Sequence, residues 1–118
     1  MSSETYYHTP RVFDMETVCR YMPLTPGMNT IRLLSEKYEN IQPGDIIRMQ
    51  YNLAGDEYGI ETVVVKSVHV SSLTAICLAH ARHNHVYFNQ APNVLRDQML
   101  NLYGEELCET SFFIAIYV

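Results

Sequence analysis

Arg32-Leu-Leu-Ser-Glu-Lys-Tyr-Glu-Asn-Ile-Gln-Pro-Gly-Asp-Ile-Ile-Arg-Met49 decides how this chain is read. Thr30-Ile31-Arg32 leads into it with strand character, a polar turn covers 35–40, and Pro43-Gly44-Asp45 opens a second strand. Glycine permits a positive φ at such a turn, and an aspartate beside it hydrogen-bonds nearby backbone N–H groups. Gly44-Asp45 is therefore assigned to the fold and not to chemistry.

Working outward, strands are expected over 28–34, 45–51 and 60–70. The last has apolar Val63, Val65 and Val70, with Lys66 and His69 interspersed. The segment 53–59 has the Gly and Asp content of a hairpin loop. Upstream, Asp14 reads as the N-cap of a helix over 14–21, with Met15, Val18, Cys19 and Met22 on its apolar side. Pro23 and Thr25-Pro26-Gly27 stop it. Residues 1–9 are polar and read as a loose segment, with Thr5-Tyr6-Tyr7 as a candidate edge strand. Downstream, Ser72 caps a helix reaching Ala81, and a polar loop covers 82–90. A second helix spans 92–103, with Pro92 at its favoured first position and Gly104 as its stop. The apolar run from Phe112 to Val118 closes the chain as a buried strand. The expected order is helix, three strands, two helices, strand.

A length of 118 residues suits a single domain over 1–118 with one real core. With 47% hydrophobic and 18% charged residues, the composition is that of a globular protein. No apolar run approaches the roughly 18 residues of a membrane span, and the N-terminus lacks the basic and apolar regions of a secretory signal. Cys19, Cys77 and Cys108 are odd in number and widely spaced, which suits reduced thiols. The expectation is a cytoplasmic, reducing, intracellular setting with no membrane partner. The net charge of −5 counts against coating a phosphate backbone, while eight basic residues suffice for one small patch. A nucleic-acid contact is therefore expected to be local and selective.

Thr30-Ile31-Arg32, followed at a fixed distance by Gly44-Asp45, resembles the core of the ASCH domain, a member of the PUA-like family of small RNA-associated β-barrels. Leu102-Tyr103-Gly104 before an apolar C-terminal strand agrees with it, and the resemblance covers 13–118. It implies an α+β fold, a small curved β-barrel with covering helices. Strands 28–34, 45–51 and 60–70 are then expected in one curved sheet, with helices 14–21 and 92–103 over its openings. It also implies a cleft beside the arginine strand for RNA or a modified nucleoside.

The family motif is Gly-x-Lys-x-x-Glu-x-Arg. Thr replaces Glu in a bacterial branch that resembles N4-acetylcytidine amidohydrolases, where Lys, Thr and a distant Glu are the catalytic set. Registering on Arg32 puts Thr30 at the nucleophile but Gly27 at the lysine. The stretch comparable to the distant glutamate, 79–85, holds no carboxylate. A threonine hydroxyl needs a base to attack an amide at neutral pH.

Among candidate site residues, Arg32, Arg48, Lys66 and Arg82 are the cations expected to face the cleft beside Asn29 and Thr30. Tyr51, Tyr58 and Tyr87 are candidates to stack on a base. The structural alternatives are a brace from Arg32 to Glu36 or Asp45, and a solvated outer face for Arg48 and Lys66. His80, His83 and His85 offer imidazoles for a divalent ion. With no Cys or carboxylate at matching spacing, they read instead as a polar loop, and no metal or cofactor is expected. In a sharper alternative, one of them replaces the absent carboxylate as base near Thr30.

The expected function is non-catalytic binding of RNA or a modified nucleoside. The alternatives are an amidohydrolase with a rearranged catalytic set and an adaptor that binds a protein through its tyrosines.

Overall fold

The structure, a computed structural model, describes residues 9–20, 22–54 and 57–118. Among them six strands form two three-stranded sheets beside three helices, a mixed α+β fold with no closed barrel. The strands are β1 (Val12–Arg20), β2 (Asn29–Leu33), β3 (Ile46–Ala54), β4 (Glu57–Val64), β5 (Ser67–Ser72) and β6 (Phe112–Tyr117). The helices are α1 (Leu73–His80), α2 (Pro92–Tyr103) and α3 (Glu105–Thr110). One sheet has the order β1-β3-β4 and the other β2-β6-β5.

β6 lies mid-sheet between two cores, which is why its sequence is apolar without a break. Ile114 and Ile116 enter a core between the sheets with Phe13, Met15, Ile47 and Met49. Phe113 and Ala115 turn the other way, under the helices, to meet Ile31, Leu73, Ile76, Leu95 and Met99. Burying one such large side chain stabilises the fold by about 1.5–3 kcal/mol. The layers are sheet, sheet, helices.

Three expectations are corrected. The expected helix over 14–21 is strand through Arg20, and Tyr21 lies outside the described residues. Phe13 and Met15 are buried while Asp14 and Glu16 are exposed, a period of two. β1 pairs in parallel with β3, Val12 opposite Ile46 through Thr17 opposite Tyr51. That ladder outweighs the helical spacing of Met15, Val18, Cys19 and Met22. Asp14 caps no helix and instead accepts a hydrogen bond from Arg48 Nε at 2.7 Å.

The expected single strand over 60–70 is two strands in different sheets. Gly44 N–H donates to Val65 O at 2.9 Å and Val65 N–H to Asp45 O at 2.8 Å, both at the end of the first sheet. One residue on, Lys66 N–H donates to Tyr117 O at 2.7 Å in the second sheet. Val63-Val64-Val65 contains no Gly or Pro to mark this corner. In consequence 28–34, 45–51 and 60–70 do not share one sheet: β2 belongs with β6, and β3 with β4. The covering helices are α1, α2 and α3, whose buried residues share the core against the second sheet.

Other expectations stand. Gly44 has φ +94°, and the fully buried Asp45 accepts from Arg11 N–H at 3.1 Å and Gln42 N–H at 3.0 Å. Ser72 Oγ accepts from Ala75 N–H at 3.3 Å and caps α1, and Pro92 opens α2. Gly104, at φ +90°, ends α2 with its N–H on Leu100 O at 2.9 Å, but the short α3 follows at once. Cys77 and Cys108 are free and buried, and burial pushes the Cys77 thiol up to about 11. The Cys19 thiol, Thr5-Tyr6-Tyr7 and loop positions Gly55 and Asp56 lie outside what is described. No helix among the described residues is long and apolar enough to cross a membrane.

Candidate functional site

β2 is an edge of its sheet, and a cleft lies along its free side. Met28 O accepts Val118 N–H at 3.1 Å, and Leu34 N–H donates to Phe112 O at 3.0 Å. The alternation of an antiparallel ladder therefore turns the backbone groups of Thr30 and Arg32 toward β6 and those of Asn29, Ile31 and Leu33 away from it. Asn29 O is taken there by His85 N–H at 3.0 Å. The buried Asn29 side chain adds a brace: its Nδ2 donates to His80 O at 2.9 Å, and its Oδ1 accepts from Asn84 Nδ2 at 3.4 Å.

The cleft opens because the chain then bends away. Asn84 Oδ1 accepts from Val86 N–H at 3.0 Å and from Tyr87 N–H at 3.2 Å, an Asx turn that lifts 86–87 off β2. A cavity of about 150 Å³ remains beside Ile31. α2 lines it with Leu95, Met99, Leu102 and Tyr103, β1 with Glu16 and Thr17, and the bend with Asn84, His85, Val86 and Tyr87. Thr30 and Arg32 complete the lining.

Thr30 and Arg32 sit two residues apart on one face of β2, so their side chains are neighbours. Arg32 Nε donates to Thr30 Oγ1 at 3.0 Å, and Arg32 Nη1 donates to Glu16 O at 3.0 Å. Nη2 lies 3.7 Å from Met49 Sδ. The guanidinium is thus half-buried and held in place, with N–H groups to spare for a ligand. It braces neither Glu36 nor Asp45; the nearby cation on Asp45 is Arg11, 3.6 Å away.

His85 is the second polar group on the wall. Its Nδ1 lies 2.8 Å from Met22 O, and a carbonyl only accepts, so Nδ1 carries the proton. Nε2 of the neutral ring then keeps its lone pair. Burial lowers the His85 pKa and the Arg32 charge lowers it further, partly offset by the bond to Met22. Burial thus favours the neutral ring.

The remaining candidates stand elsewhere. Tyr51 is fully buried between the sheets, where Leu24 N–H donates to its hydroxyl at 2.7 Å, so it cannot stack on a ligand. Arg48 is on the outer face of β3, paired with Asp14. Lys66 is exposed at the corner between the sheets, and Arg82 is exposed in the short turn after α1; neither lines the cleft. Tyr58 is 60% exposed on β4 with Ile60 and Val64.

Of the three neighbouring histidines, His80 and His83 stay together beside Tyr117, while His85 departs. His80 Nδ1 lies 2.6 Å from the Tyr117 hydroxyl, and its ring is 4.6 Å from that of His69. His83 is 6.2 Å from the Tyr117 ring, and only His85 reaches the cleft. Among the described residues no three His, Cys, Asp or Glu side chains stand together as metal ligands.

Sequence reasoning missed Glu16 and Thr17, which it placed on a helix, and used Leu102 and Tyr103 for the family resemblance and not as cleft residues. Asn84 carried a legible signal, since asparagine before an irregular segment favours an Asx turn. What that turn would open depends on β2, 55 residues away in the chain.

The hypothetical protein PH0355, known from a crystal structure, has a similar fold: the TM-score is 0.68 over 90% of this chain and 95% of that one, at 23% sequence identity. No family model and no curated protein matches the chain. The likeness to PH0355 concerns the fold alone.

Proposed function

We propose that this chain is an ASCH-type, PUA-like domain, its two sheets forming an incomplete curved barrel, and that it binds RNA or a modified nucleoside by taking one base into the cleft beside Thr30 and Arg32. The observation that carries this reading is the cavity itself. At about 150 Å³ it falls in the size class that accepts one six-membered ring. Its walls pair apolar Leu95 and Met99 with the Arg32 guanidinium, and Tyr87 and Tyr103 offer ring surface to a base. A single unstacked base enters such a site and a duplex does not. The net charge of −5 fits recognition through a base better than through a run of phosphates.

The test is equilibrium binding of short single-stranded RNAs, the matching duplexes and free pyrimidine nucleosides to the wild-type chain. Single strands are expected to bind, nucleosides to compete, and duplexes to fail. Duplex binding that nucleosides leave untouched contradicts the proposal.

His85 favours a second reading. A neutral imidazole with a free Nε2 lines the same cleft as Thr30, whose hydroxyl oxygen already accepts from Arg32. In this reading His85 would serve as base in place of the missing carboxylate, and general-base help contributes about 10²–10⁴-fold. Incubation with N4-acetylcytidine across pH 5–9 separates the two. Binding alone gives a flat trace, whereas turnover lost in both Thr30→Ala and His85→Gln establishes hydrolysis.

A further inference from the structure

The cleft has a polar feature that no side chain supplies. Asn29, Ile31 and Leu33 turn their backbone groups away from β6, and at Asn29 the carbonyl is met by His85. At Ile31 the chain across the gap has already been drawn off by the Asx turn at Asn84. β2 pairs only with β6 among the described strands, and no loop backbone or side chain among the described residues bonds to Ile31 N–H or C=O. Ile31 lines the cavity, and the residue is only 3% exposed. A donor and an acceptor on one strand residue, aimed the same way and drawn out of bulk water, carry a cost until something meets them.

We infer that Ile31 N–H and C=O read the ring edge of the bound base, so that the site selects a pyrimidine presenting a hydrogen-bond acceptor and donor side by side. This rests on the base-binding reading proposed above. Uracil offers that pair as O4 and N3–H, and cytosine as N3 and its amino group. The cavity admits one ring, and the backbone meets its edge as a neighbouring strand would.

A peptide strand is a poorer occupant. Strand addition needs a continuous open edge, and here His85 occupies Asn29 while Leu95, Met99, Leu102 and Tyr103 of α2 line the space beside Ile31. The Ile31 side chain packs in the core beneath the helices with Leu73, Leu95 and Phe113, which holds its backbone in place at the cleft. Recognition through backbone also accounts for selectivity without a side-chain amide aimed at the ring. Asn29 and Asn84 are already bonded to each other and to main chain. Arg32, on the adjacent face of β2, is left to meet a ring oxygen or a phosphate.

The edge is tested by blocking it on the ligand, since a backbone group cannot be deleted without breaking the strand. The ¹⁵N-labelled full chain is titrated with uridine, 5-methyluridine, N3-methyluridine, cytidine and N4,N4-dimethylcytidine. Affinities and the Ile31 amide signal are followed together. Uridine and 5-methyluridine, or cytidine, are expected to shift the Ile31 amide. The edge-blocked partner is expected to bind roughly tenfold or more weakly, the loss that follows when buried polar groups go unmet. If blocked and unblocked nucleosides bind alike, moving His85 and Tyr103 signals but not Ile31, the edge is not read and base binding survives. If no nucleoside moves any cleft signal, the base-binding reading fails and this inference falls with it.

Discussion

Arg32 and Arg48 are each a cation that follows an isoleucine on a strand, yet they end in opposite surroundings. Arg48 alternates with Ile47 and Met49, which fill the core between the sheets, so its own side chain is forced to the outer face. There it meets Asp14 across the parallel pairing with β1, in water. The pair holds the Asp14 carboxyl below the usual range but stands fully exposed. Arg32 alternates with Ile31 and Leu33, which pack toward the helices, so it is turned toward the other sheet. It sits where β1 and β2 are near but unpaired, bonded to Glu16 O, and it lines the cleft. Alternation says which face a residue takes. What stands opposite that face decides whether the charge is decoration or part of a site.

The comparison can be broken from the scaffold side first. Phe113 is fully buried on the helix side of β6, edge-on to Tyr103 with ring centroids 5.9 Å apart. Phe113→Ala is expected to cost about 3–5 kcal/mol in chemical unfolding. It should also weaken ligand binding, because the helix layer is one wall of the cleft. Full binding by a folded Phe113→Ala chain would show that α2 does not shape the site.

Tyr51→Phe sharpens the boundary between core and cleft. It strands the Leu24 N–H, a loss of about 1–3 kcal/mol in stability. Ligand affinity should not change, since Tyr51 is sealed between the sheets; a drop in affinity without unfolding would put Tyr51 back in the site.

A smaller effect is expected from pH. His85 has a folded pKa below its ordinary value, so the unfolded chain takes up the proton first. The resulting stability is fully present above the unfolded value of about 6.5 and is lost as pH falls below it. Burial shifts His80 in the same direction. Urea midpoints measured from pH 7.5 to 5 should fall, and fall less steeply in His85→Gln; equal slopes would mean that His85 is not the group responsible.

Much of this arrangement was legible from residues alone, and the failures have physical causes. Ser72 as a cap, Pro92 and Gly104 at the ends of α2, and the unbroken apolar run of β6 are local signals that tertiary structure reinforces. β1 was misread because Asp14 mimics a helix cap and Met15, Val18, Cys19 and Met22 fall at helical spacing. Only the ladder to β3, thirty-odd residues later, turns that segment into a strand. The corner at Val65 was invisible because the chain changes sheets without changing composition. Thr30 and Arg32, expected at the cleft, line the cavity, whereas Asn29, Arg48, Lys66, Arg82 and Tyr51 do not. Their strands were read, but the pairing that fixes each face was not. The histidines show the same limit. His80 and His85 are five residues apart, yet the end of α1 and the bend at Asn84 send them to different environments.

The central proposal is that this protein binds RNA, and does so at the cleft beside β2 and not on the outer face of β3. Affinity for one short single-stranded RNA, measured for wild type, Arg32→Ala and Arg48→Ala at matched salt, tests it most directly. Arg32→Ala is expected to weaken binding by about 1–3 kcal/mol, the scale of a lost charge-assisted contact, while Arg48→Ala binds as wild type does. Equal losses in both variants, or a loss in Arg48→Ala alone, would contradict the account.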